Sequence, residues 1–170
     1  AVLTLHNAEI VNSNVPLQLG ADTVVKLEGT NYLTNTSTET GVGIRAKGTD
    51  GTFHSVTFQG GDEDSLIVSA YQCTSGLDEL TVSGGNISMV GACYGIVDTG
   101  NVLLENGTRV SVTGGEFGSA LDVGSPGNPN PPNLTISGGS SLTTDGDAMI
   151  DGDLTMSGGS SFTTDGKSFV

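Results

Sequence analysis

Near the end of this chain, Asp145-Gly-Asp-Ala-Met-Ile-Asp-Gly-Asp153 packs Asp145, Asp147, Asp151 and Asp153 around two glycines, and Asp165 repeats the position of Asp145 after 20 residues. Carboxylates at tight turns are what Ca2+ takes, since it collects oxygens from side chains and turn carbonyls. Two carboxylates stacked about 4.8 Å apart would repel by roughly 3 to 4 kcal/mol at an effective dielectric near 20, and by about 1 kcal/mol in water. If enclosed, such a pair calls for a cation or a raised pKa; if exposed, it calls for neither. Asp-Gly is also ordinary turn chemistry, and neither the EF-hand spacing nor the glycine-rich calcium nonapeptide is present. Both readings stay open, as they do for the acidic run Asp62-Glu-Asp64.

Catalytic constellations are sparse. Paired carboxylates could serve glycoside hydrolysis, but among 19 acidic residues no pair is singled out. A calcium-dependent polysaccharide lyase would need a base beside the metal, and the candidates are Arg45, Arg109 and three lysines. His6 and His54 lie far apart, and no nucleophile elbow or metal-binding His pair occurs. For sugar binding, aromatic rings are the usual platform. Tyr71 and Tyr94 occupy similar neighbourhoods (Ala-Tyr-Gln-Cys and Ala-Cys-Tyr-Gly), which expects them side by side on adjacent turns. Thr143 and Thr144 recur as Thr163 and Thr164, offering rows of hydroxyls for a glycan or, as a lesser reading, an ice-binding face.

The elements that must position these residues announce themselves by repetition. Asn133 to Gly146 reads NLTISGGSSLTTDG and Asp153 to Gly166 reads DLTMSGGSSFTTDG, with 11 of 14 positions identical. A period this short marks a solenoid, whose units bury their apolar faces only by stacking. Gly-Gly pairs at 60, 84, 114, 138 and 158 each follow a short strand in which apolar residues alternate with Thr or Ser. The expected fold is all-β: a single-stranded right-handed parallel β-helix with coils of about 20–24 residues. Leu134 is expected on Leu154, Ile136 on Met156 and Leu142 on Phe162. One domain should span 1–170, with loop excursions near 31–41 and 124–133, the latter because proline cannot donate to a ladder.

Composition bounds the partners. A net charge of −14 and only five Lys and Arg exclude a phosphate-binding stripe and disfavour anionic membranes. No apolar run reaches membrane-spanning length. No secretory signal opens the chain, which begins inside a strand-like segment and is read as a fragment of a larger extracellular protein. The Lys-poor, Thr/Ser/Asn/Gly-rich composition points to a secreted or cell-surface setting. Cys73 and Cys93 lie about one coil apart and suit buried thiols or a disulfide equally.

LTLHNAEIVNSN, TVVKLEGTNYLTN, GVGIRAKG and TDGDAMIDGDLTMSGGSSFTTDG resemble the right-handed β-helix repeats of secreted bacterial surface proteins. Some of these repeats form calcium-containing carbohydrate-binding domains. The resemblance implies polysaccharide or host or cell-wall glycan as partner, and calcium or polar turn contacts at Asp145, Asp147, Asp151 and Asp153. Lys167 departs from the pattern where an acid would recur, and is expected to pair with Asp147. The expected function is a non-catalytic glycan-binding module or adhesin, with a structural stalk, a protein-binding repeat or a lyase as alternatives.

Overall fold

The computed structural model describes residues 1–124 and 131–169, and they form an all-β solenoid of about seven turns in which neighbouring strands pair in parallel. Each turn contributes one strand to each of three faces. The first face carries Val2–His6, Thr23–Glu28, His54–Gln59, Leu77–Ser83, the end of Ile96–Glu105, Leu134–Ile136 and Leu154–Met156. The second carries Glu9–Asn12, Thr30–Asn35, the start of Ser65–Ser75, Asn86–Tyr94, Arg109–Thr113, Ser141–Asp145 and Ser161–Thr164. The third runs from Leu17–Leu19 through Val42–Ala46 to Ala148–Ile150 and Ser168–Phe169. Ser65–Ser75 and Ile96–Glu105 bend through a corner without a break, joining the third face to both of the others.

Alternation along each strand sends every second side chain inward, and register stacks these into ladders. On the first face one ladder runs Leu3, Val25, Phe58, Val82, Leu104, Ile136 and Met156. Its members from Val25 to Ile136 are fully buried. The expected pairs Leu134 with Leu154, Ile136 with Met156 and Leu142 with Phe162 are all in register. At about 25 cal/mol per Å² of apolar surface, such columns supply the main driving force that isolated turns lack.

The corner between the first and second faces reverses the chain with left-handed backbone. Gly84, Gly138 and Gly158 have φ of 74°, 62° and 66°. In the intervening turn the position belongs to Asn106, at φ 58° and followed by Gly107. Asn tolerates this region better than other side chains, so it substitutes for glycine there. The pair Gly114-Gly115 therefore marks the next corner: Val110–Thr113 lies on the second face, one strand later than the Gly-Gly spacing implied.

Of the excursion expected at 31–41, the first five residues are strand, since Thr30–Asn35 pairs on both sides, and the stretch from 36 to 41 leaves the sheet. Its asparagines read as loop but are structural. Asn31 is fully buried; its Oδ1 accepts from Ala8 N at 2.9 Å, and its Nδ2 donates to Ser65 O at 3.2 Å, so one side chain ties three successive turns together. Of the second excursion, 124–133, residues 125–130 lie outside the described residues. Cys73 and Cys93 are both free and buried, and burial pushes the Cys73 thiol up to about 12.

Candidate functional site

The outward side chains of the second face form columns. Glu9, Tyr32, Ile67, Ser88, Ser111, Thr143 and Thr163 follow one another rung by rung. Beside them runs a second column, Thr30, Ser65, Asn86, Arg109, Ser141 and Ser161. From Ser88 to Thr163 the first column is all hydroxyl, repeating about every 4.8 Å because parallel strands are spaced so. Between the columns lies a shallow depression of about 330 Å³, bounded by Asn86, Ser88, Arg109, Ser111, Ser141 and Thr143. The sequence pattern found Thr143 and Thr163 but missed Ser88, Ser111 and Arg109. Their shared register becomes legible only once Asn106-Gly107 is recognised as a corner.

Thr144 and Thr164, expected in the same rows, point the other way. They continue the inward ladder Leu33, Val68, Met89 and Val112. Thr144 is 1% exposed and its hydroxyl has no hydrogen-bond partner, whereas Thr164 Oγ1 donates to Gly146 O at 3.3 Å. A flat face two threonines wide is therefore absent, because strand alternation puts only one of each Thr-Thr pair on the surface.

Tyr71 and Tyr94 do meet, edge to face, with ring centroids 6.4 Å apart and planes at 79°. The neighbouring Cys93 thiol holds the Tyr71 hydroxyl above the usual phenol range. The pair sits where the second face turns into the third, two to four rungs from Thr143 and Thr163. One ring edge is thus turned into the face of its neighbour, at the end of the strand Asn86–Tyr94 away from the hydroxyl columns.

The acidic corners are engaged in turn hydrogen bonds. Asp147 Oδ1 accepts from the backbone N of Lys167 at 2.9 Å, and Asp165 Oδ1 from Gly146 N at 2.9 Å. Lys167 therefore meets Asp147 through its amide, and the expected ion pair is not formed among the described residues. Asp151 and Asp153 belong to the far corner, separated from Asp145 and Asp147 by the strand Ala148–Ile150. Four extended residues span about 13 Å, too far for one ion to bridge. Among the described residues no three carboxylate, imidazole or thiol groups gather into a metal-holding set, and Asp147 and Asp165 each engage a backbone amide of the neighbouring turn.

The run Asp62-Glu63-Asp64 is likewise structural in part. Asp64 Oδ1 accepts from Gly29 N and Oδ2 from Gly61 N, both at 2.7 Å, joining two turns. These two amides hold its carboxyl below the usual carboxylate range. The residues available for acid-base chemistry are dispersed: His6 pairs with Glu28 at 3.0 Å, His54 with Asp22 at 3.5 Å, Arg45 lies on the third face and Arg109 on the second.

A further concavity lies elsewhere among the described residues. A groove of about 650 Å³ follows the corner between the third and first faces, with Arg45, Lys47 and Phe53 on one wall and Pro132 on the other. Its floor carries Gly76, Gly100 and Gly124. Their strict spacing of 24 residues was available in the sequence but lay outside the Gly-Gly pattern. Comparison with protein-family models, curated proteins and solved structures finds no match to this chain.

Proposed function

We propose that this chain is a non-catalytic module that binds neutral polysaccharide along its second face, in a secreted or cell-surface setting. The supporting observation is the in-register column Ser88, Ser111, Thr143 and Thr163, flanked by Asn86, Arg109 and Ser141. A hydroxyl every rung recurs at close to the length of one sugar in an extended pyranoside chain, so successive sugars can each meet the same donor-acceptor group. Each such bond is weak, on the order of 1 kcal/mol net, and affinity accumulates along the row. Tyr71 and Tyr94 stand to the side of the row, at the corner where the second face turns into the third.

A strongly negative chain repels polyanions over most of its surface, which favours uncharged glycans on this face. The dispersed bases and carboxylates favour binding without bond cleavage. Recognition on this face then runs through its hydroxyls and amides, without calcium. A glycan array probed with and without EDTA tests the reading. Retention of neutral polysaccharides that EDTA leaves unchanged is the expected result. Absence of retention on every glycan would favour a stalk or protein-binding repeat, and ultraviolet-absorbing unsaturated products from polygalacturonate would replace it with a lyase.

A further inference from the structure

The groove at the third corner combines features that the second face lacks. In a chain with only five Lys and Arg, two of them, Arg45 and Lys47, stand on one wall, and neither is in an ion pair among the described residues. Lys47 and Phe53 close a small hairpin through an antiparallel bridge, tightened by Gly48 N donating to Thr52 O at 2.8 Å. The hairpin sets the Lys47 ammonium 4.9 Å from the centre of the Phe53 ring, which is half exposed. A cation held over an aromatic face is kept at the rim instead of sweeping solvent. Local positive charge here is thus built into the fold, against a background of net −14.

Close packing fixes the glycines of this corner. A Cβ on Gly100 would fall 1.8 Å from the carbonyl oxygen of Asp78, and one on Gly76 would reach the Phe53 ring at 3.0 Å. Gly124, at φ 136°, would press a Cβ to 2.7 Å from the Asp151 side chain. A side chain at any of the three would run into a neighbouring part of the protein, so packing within the corner requires glycine there. Asp78, on the same floor, adds an acceptor.

We infer that this groove is a second site, binding a carboxylate-bearing saccharide with its acid group on Arg45 and Lys47 and its hydroxyls toward Asp78 and the glycine floor. A guanidinium takes a planar carboxylate through two parallel N–H donors, and an ammonium adds a point charge. The volume suits a short oligosaccharide segment. A saccharide is favoured over an acidic peptide because a peptide gains its grip from a free sheet edge or a series of apolar pockets. Among the described residues this corner offers neither: its apolar side chains are Phe53, Leu77 and Pro132.

The test is calorimetric titration with a short oligogalacturonate, its neutral methyl ester and a poly-glutamate peptide of matched charge. The inference expects the oligogalacturonate to bind at least about tenfold more tightly than the ester. R45Q and K47Q should each weaken it about tenfold, and K26Q and K167Q, which remove cations outside the groove, should leave it unchanged. Both groove positions face solvent wholly or in part, so the folded state survives the substitutions; circular dichroism checks this. The inference is overturned by equal binding of the ester, by full binding in R45Q/K47Q, by tighter binding of the peptide, or by no heat from oligogalacturonate with the unmodified protein. Neutral-glycan retention on the second face is untouched by R45Q/K47Q, so failure here and failure of that reading are separate results.

Discussion

Replacing Thr144 by Val should make the protein more stable. Thr144 occupies an inward column between Val112 and Thr164, is 1% exposed, and its hydroxyl has no hydrogen-bond partner. A buried hydroxyl with no partner costs about 1–3 kcal/mol of desolvation that nothing in the fold returns. Valine keeps nearly the same volume and branching, so no cavity or overlap offsets the gain. The expected stabilisation is about 1–2 kcal/mol, which for a chain of this size raises Tm by roughly 2–8 °C. Two controls bracket the logic. T143V alters the exposed neighbour and should stay within about 0.5 kcal/mol of the parent. T164V removes a hydroxyl that donates to Gly146 O and accepts from Gly166 N, and should cost about 1 kcal/mol. Thermal and urea unfolding of the three variants, read by far-ultraviolet circular dichroism, decides it. A T144V protein less stable than its parent would refute the inward assignment of that column.

Other consequences follow from the same frame. N31D keeps the oxygen that accepts from Ala8 N but turns the donor toward the carbonyls of Glu28, Gly29 and Ser65 into an anion. It should cost about 3–5 kcal/mol at pH 7 and recover in part at pH 4, because its raised folded pKa makes protonation favour the folded state; urea melts at both pH values read this. Asp64, Asp22 and Asp50 are held below 3.8, each chiefly by a backbone N–H donor. Their contribution is therefore full above that value and is lost as pH falls through the lower folded pKa, so denaturation should begin below about pH 3.8 and be less steep in D64N. G138A forces a side chain into φ 62° with its Cβ 2.9 Å from Asn106 N and should cost about 1–2 kcal/mol in urea unfolding, while N106G should be nearly neutral.

The fold was legible where neighbouring turns share both length and residue types. The block from Asn133 repeats from Asp153 without insertion, so its ladders could be written down from alternation alone. Legibility failed where a different residue satisfies the same backbone requirement. Asn106 enters the left-handed region as glycine does, and counting Gly-Gly pairs therefore moved Val110–Thr113 to the wrong face. Asn31 failed for the opposite reason: it is polar, yet buried, because its amide bonds backbone groups of three turns. Of the surface, Tyr71 beside Tyr94 and Thr143 above Thr163 could be read from local similarity. The acidic corners could not, since composition does not say whether a carboxylate faces an ion or a neighbouring amide. The groove depends on a hairpin that brings Lys47 against Phe53, a contact that no periodicity encodes.

The most direct test of the functional account is affinity electrophoresis through gels containing neutral polysaccharide, comparing the parent with a variant carrying S111V, T143V and T163V together. All three hydroxyls point outward on the second face, so the fold and its circular dichroism should be unchanged. Loss of retardation in the variant, on every gel that retards the parent, is the predicted result. Equal retardation of the two proteins would contradict recognition by the hydroxyl column.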